Sequence, residues 1–125
     1  MGRELLRLSD TPLHMEKTWE SGGVTVLCAE VTLPRCGGKS RRARRFDRYY
    51  RQYARAYLKY CEAELLPRAA ETMRTALECS APWSCARAVL AYRVTLVRGD
   101  TLSLYTEGRE EQLPPRLTLR RAETW

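Results

Sequence analysis

One apolar stripe, running from Phe46 to Ala76, constrains the fold of this chain more than any other feature. Phe46, Tyr50, Tyr53, Tyr57 and Cys61 recur at steps of three and four, and Leu65, Ala69, Met73 and Ala76 carry the stripe onward. That period is one face of an α-helix. Ser40 stands where it can cap the first turn, because its hydroxyl accepts from amides that have no helical partner. The helix is therefore expected from about Ser40 to Glu78. Pro67 removes a backbone donor inside it and predicts a kink or two abutting helices.

The flanking segments read as strands. Val24 to Leu33 is rich in β-branched residues, opened by Gly22-Gly23 and closed by Pro34, with Leu27, Ala29, Val31 and Leu33 on one face and Glu30 and Thr32 on the other. Beyond the loop Cys79–Ser84, residues Arg87 to Val97 alternate again, and Arg98-Gly99-Asp100 is a turn before Thr101–Thr106. A three-residue loop would set Leu96 against Leu102 and Val94 against Leu104, keeping the apolar face intact. Pro114-Pro115 precedes a last strand-like run from Arg116 to Trp125. The order β-α-β-β-β predicts an α+β domain: an antiparallel sheet of about four strands with the helix packed on one face. Residues 1–21 show no sustained period and read as a poorly ordered arm or a short edge strand, leaving residues 22–125 as a single domain.

The 125 residues carry a net charge of +7, and its placement matters more than its size. Between Lys39 and Lys59 there are nine basic residues and one acid, Asp47, so this half of the helix holds the whole excess. Arg41, Arg45, Arg48, Arg55 and Lys59, with Gln52 among them, fall at steps of three and four and form a polar stripe beside the aromatic one. Such a stripe is either a solvated helix face or a docking face for phosphates or an acidic partner, since guanidinium groups bind oxyanions bidentately and release counterions from nucleic acid. Tyr50, Tyr53 and Tyr57 are expected in the core; Tyr49 and Tyr60 are left open between packing and base stacking.

Catalytic chemistry finds little to work with. A Cys–His pair is the one nucleophilic arrangement the composition allows, and His14, the single histidine, lies in the arm. Glu62, Glu64, Glu71 and Glu78 fall at helical steps and read as solvated. Cys28, Cys36, Cys61, Cys79 and Cys85 lack the paired spacing of a zinc site, so no metal and no cofactor is expected; Cys79 and Cys85 are the pair closest in sequence. The N-terminus lacks the apolar run of a signal peptide and no stretch is long enough to span a bilayer, which reads as a cytoplasmic protein without membrane insertion.

The strand ending in Leu33-Pro34, the helix carrying Arg45-Phe46-Asp47-Arg48-Tyr49-Tyr50, and the pair Tyr92-Arg93-Val94-Thr95 and Thr101-Leu102-Ser103-Leu104-Tyr105 resemble the RsiV-like family. These are bacterial domains found in the extracellular part of a lysozyme-sensing anti-sigma factor and beside some polysaccharide deacetylases. The resemblance covers roughly Val24 to Thr106 and extends to a soluble, arginine-rich clostridial branch whose members continue beyond the point where this chain stops. It implies the fold and a non-enzymatic binding or sensing role toward a protein or an envelope polymer, with the domain incomplete at its C-terminal end. This chain lacks the family's anti-sigma segment, membrane helix, deacetylase domain and later histidine-containing stretch. At +7 it also suits cationic lysozyme poorly. The alternative is an electrostatic binder of nucleic acid or another polyanion, using Arg41, Arg45, Arg48, Arg55 and Lys59.

Overall fold

The computed structural model describes residues 6–113 and 119–125. Strands β1 (Leu13–Ser21) and β2 (Val24–Leu33) form a hairpin; helix α1 (Arg41–Tyr60), a single π-helical turn (Cys61–Leu65) and helix α2 (Leu66–Glu78) follow; and β3 (Ala86–Arg98), β4 (Thr101–Glu111) and β5 (Leu119–Thr124) complete the chain. The strands make one five-stranded sheet in the order β1-β2-β3-β4-β5. Among the described residues no helix is long and apolar enough to cross a membrane.

The α+β class and the helix packed on one sheet face are as expected, while the strand count and the pairing are corrected. Residues 13–21 adopt the edge-strand alternative, pairing antiparallel with β2 from Leu13↔Leu33 to Ser21↔Val24. Their alternation is hard to see because Lys17 stands on the inward side between Met15 and Trp19. It is accommodated by its ammonium lying 5.2 Å from the Trp19 ring. The β1–β2 turn needs left-handed backbone at both central positions, which Gly22 and Gly23 supply at φ 59° and 80°. The sheet is mixed rather than antiparallel. The helical segment lies between β2 and β3 and carries the chain back along the sheet, so β3 starts at the same end as β2 and pairs parallel, from Leu27↔Ala86 to Val31↔Leu90.

The long helix is continuous in sequence but not in pitch. Ser40 caps it as expected, its Oγ accepting from the Ala43 amide at 3.1 Å. Pro67 falls at the start of α2, immediately after the π-helical turn, where the Leu66 amide reaches back to the Cys61 carbonyl. The wider turn absorbs the donor that proline lacks, so two abutting α-helices joined by one π turn replace a simple kink.

The β3–β4 hairpin also departs from the expected register. Its loop is the two-residue Gly99-Asp100, with Arg98↔Thr101, Val97↔Leu102 and Leu96↔Ser103. A bulge at Thr95 then restores Val94↔Leu104. The apolar face is thus rescued by an extra residue rather than by a longer loop. Leu102 and Leu104 are buried, at the cost of leaving Leu96 and Val97 exposed.

The core lies between the sheet and the helices. Leu27, Ala29, Val31 and Leu33 from β2 and Ala86, Ala88 and Leu90 from β3 meet Phe46, Tyr50, Ala54, Tyr57, Cys61, Leu65 and Ala69 from the helical layer. Trp125 closes one end. Its ring lies 5.0 Å from that of Phe46, its Nε1–H donates to the Tyr50 hydroxyl at 3.1 Å, and its backbone pairs with Leu102. Among the described residues, the opposite face of the sheet carries no helix, and it is laced by cross-strand ion pairs, Arg87–Glu30 at 3.1 Å and Arg120–Glu107 at 3.0 Å.

Candidate binding face on helix α1

Helix α1 divides lengthwise into a buried strip, a crest and two flanks. The buried strip is Ala43, Phe46, Tyr50, Ala54 and Tyr57. The crest opposite is Arg41, Arg45, Arg48, Gln52, Arg55 and Lys59, all exposed. Every residue of the expected binding stripe is therefore on one solvent-facing line. None of Arg41, Arg44, Arg45, Arg48, Arg51, Arg55 and Lys59 forms an ion pair among the described residues. Arg41/Arg45, Arg44/Arg48, Arg51/Arg55 and Arg55/Lys59 are instead like-charge neighbours at four-residue spacing. Each such pair costs roughly 0.2–0.5 kcal/mol, and the arginines of the first turn also oppose the helix dipole.

On one flank a cleft of about 360 Å³ opens between α1 and the β2–α1 loop, with Arg35, Arg44, Arg48 and Arg51 around it and Leu13, Pro34, Gly37 and Gly38 on its loop side. Asp47 is the only acid of the helix and is committed to that loop: its carboxylate accepts from the Cys36 amide at 2.7 Å and the Gly37 amide at 2.9 Å. The turn requires left-handed backbone at Gly37, φ 70°. The carboxylate thereby occupies the loop's own anion-binding amides and leaves the arginines as the cleft's open binding groups. A shallower hollow of about 440 Å³ lies among Arg41, Arg44, Arg45 and Arg48. Sequence reading missed Arg35, Arg44 and Arg51, because Arg44 and Arg51 lie off the crest line and Arg35 reaches the site only through the loop.

The other flank is aromatic. Tyr49, Tyr53, Tyr57 and Tyr60, with Gln52 and Ala56, face Leu119 and Arg121 of β5 across a groove of about 360 Å³. Tyr50 and Tyr57 are core residues as expected, but Tyr53 is only half-buried and belongs to this groove with Tyr49 and Tyr60. Two rings are held from below, Tyr53 by a 2.9 Å hydrogen bond between its hydroxyl and Thr106, and Tyr60 by donation to Glu110 at 3.0 Å. The Arg121 guanidinium sits 5.7 Å from the Tyr53 ring. Burial, with Glu123 beside it, pushes the Tyr49 phenol up to about 12, so this ring remains neutral at physiological pH.

His14 and the Cys28–Cys85 pair lie on or near the uncovered sheet face. His14 bridges Thr32 and Glu16, each at 3.1 Å, and its hydrogen bonds include no thiol. His14, Glu16 and Glu30 bring three potential ligand atoms within 4.8 Å of one another, a grouping that the sequence conceals because it depends on β1 pairing with β2. Glu30 is already neutralised by Arg87. The thiol that Cys85 meets is Cys28, at 3.4 Å across the β2–β3 boundary, and not Cys79, which is exposed in the loop.

A scan of the chain against protein-family models finds no match, and a search of curated proteins finds none either.

Proposed function

We propose that this chain is a non-enzymatic binding domain that holds a polyanionic partner along α1. The observation that carries the proposal is the cationic crest: exposed, free of ion pairs among the described residues, and kept despite the like-charge repulsion it imposes on its own helix. A helix stabilised only by solvent would gain from acids at intervening positions, yet the one acid present is spent on the loop. Binding to heparin or an oligonucleotide should fall steeply between about 50 and 200 mM salt as counterions are released. Arg48→Glu with Arg55→Glu should weaken it by at least about tenfold whatever the sequence. Absence of binding to any polyanion at low salt sinks the proposal.

The second reading is a sensing domain of the RsiV-like kind that contacts a protein or an envelope polymer. Its support is the sheet face left without a helix among the described residues, where Val89 and Ala91 lie between Arg87 and Arg93. A partner held there would be indifferent to charge reversal on α1, which separates the two readings.

A further inference from the structure

Resting on the polyanion reading, we propose that the partner is single-stranded nucleic acid, with bases stacked in the tyrosine groove and phosphates on the adjoining crest. The juxtaposition carries the inference. Gln52 belongs both to the crest and to the groove wall, so the arginine line and the aromatic line run side by side along the same helix. From Tyr49 to Tyr60 the groove follows about 16 Å of helix. Two of its rings are held in place, because Thr106 and Glu110 bond the Tyr53 and Tyr60 hydroxyls from the sheet side. Stacking on such rings beside guanidinium groups tolerates any base, since every base presents a flat face. Polyphosphate and heparin offer no flat apolar surface to fill the groove, and a duplex hides its bases inside. The nearby carboxylates do not oppose the ligand: Glu110 is paired with Arg68 at 3.4 Å, and Glu123 lies 3.7 Å from Arg121.

The test uses the full chain and fluorescence anisotropy with three probes: a labelled single-stranded 12-mer, its duplex, and inorganic polyphosphate as competitor. Electrostatics alone favours the duplex, whose charge density is higher, so tighter binding of the single strand is diagnostic. Ala56→Met fills the groove from an exposed helical position without changing charge; it should weaken single-strand binding about tenfold and leave polyphosphate competition unchanged. Gln52→Leu provides a second variant that alters the groove wall without touching the core. Equal affinity for single strand and duplex, or Ala56→Met binding like the parent chain, overturns this inference while the polyanion reading stands. Failure of all three probes to bind at low salt overturns that reading itself.

Discussion

Asp47 shows how one side chain can set the character of a surface. On a helix crowded with arginine, an acid would be expected to pair with its neighbours at i±3 or i±4. It turns to the loop instead and accepts two backbone amides, at 2.7 and 2.9 Å. Hydrogen bonds to a charged acceptor are stronger than neutral ones and are worth roughly 1.5–3 kcal/mol each when both groups are shielded from water. With the site half-exposed, Asp47→Ala should cost on the order of 1–3 kcal/mol, measurable as a fall of several degrees in melting temperature. The same change would free the Cys36 and Gly37 amides, so polyanion binding should be retained or strengthened as stability drops. That opposite movement would distinguish a loop anchor from a binding residue. At this scale the crest was legible in the sequence, because seriation of Arg41, Arg45, Arg48, Arg55 and Lys59 follows from helical pitch alone. Arg35 was not, since the loop that delivers it has no periodicity to read.

Among elements, the junction of β2 and β3 brings together what the chain keeps far apart. Cys28 and Cys85 are separated by 57 positions and by the entire helical layer, yet their sulfurs lie 3.4 Å apart. Oxidised glutathione should remove both thiols together, forming the Cys28–Cys85 disulfide and two equivalents of reduced glutathione. Because burial raises the Cys85 thiol to about 11, the thiolate that must attack is scarce at neutral pH, and the reaction should accelerate as pH rises toward that value. A loop of this length, closed in the unfolded chain, would add about 4 kcal/mol of stability. Mass spectrometry after thiol blocking checks it: loss of Cys28 reactivity without loss of Cys85 reactivity, or a Cys79–Cys85 bridge in its place, contradicts the geometry. Proximity in sequence favoured Cys79 as the partner, and the parallel register decided otherwise. The β3–β4 hairpin teaches a related lesson, because the preference for Val94 opposite Leu104 was correct while the device that achieves it, a bulge at Thr95, leaves no mark in the sequence.

For the molecule as a whole, several weak acids are folded away from water in their neutral forms. Burial raises the Cys36 thiol from 9.0 to about 11, the Cys61 thiol from 9.0 to about 12 and the Tyr49 phenol from 10.0 to about 12, and it raises Tyr50 and Tyr57 as well. Above about pH 9 the unfolded chain releases protons that the folded chain retains, so stability must decline as pH climbs through this window. Melting temperature should therefore be nearly level below pH 8.5 and fall steadily from pH 9 to 11; a flat profile would show that these groups reach water in the folded protein. The sequence by itself determined the long amphipathic helix, its Ser40 cap, the inward face of β2, the two strands around Gly99 and the line of cationic residues, because each depends on a local period or a local hydrogen bond. Only the tertiary structure decided the rest. Whether β2 and β3 run parallel, whether residues 13–21 join the sheet, which thiol meets Cys85, and that a tyrosine groove borders the arginine crest all depend on which distant segments share an edge. That choice is made by the joint burial of apolar faces from the whole chain, and no window of neighbouring residues contains it.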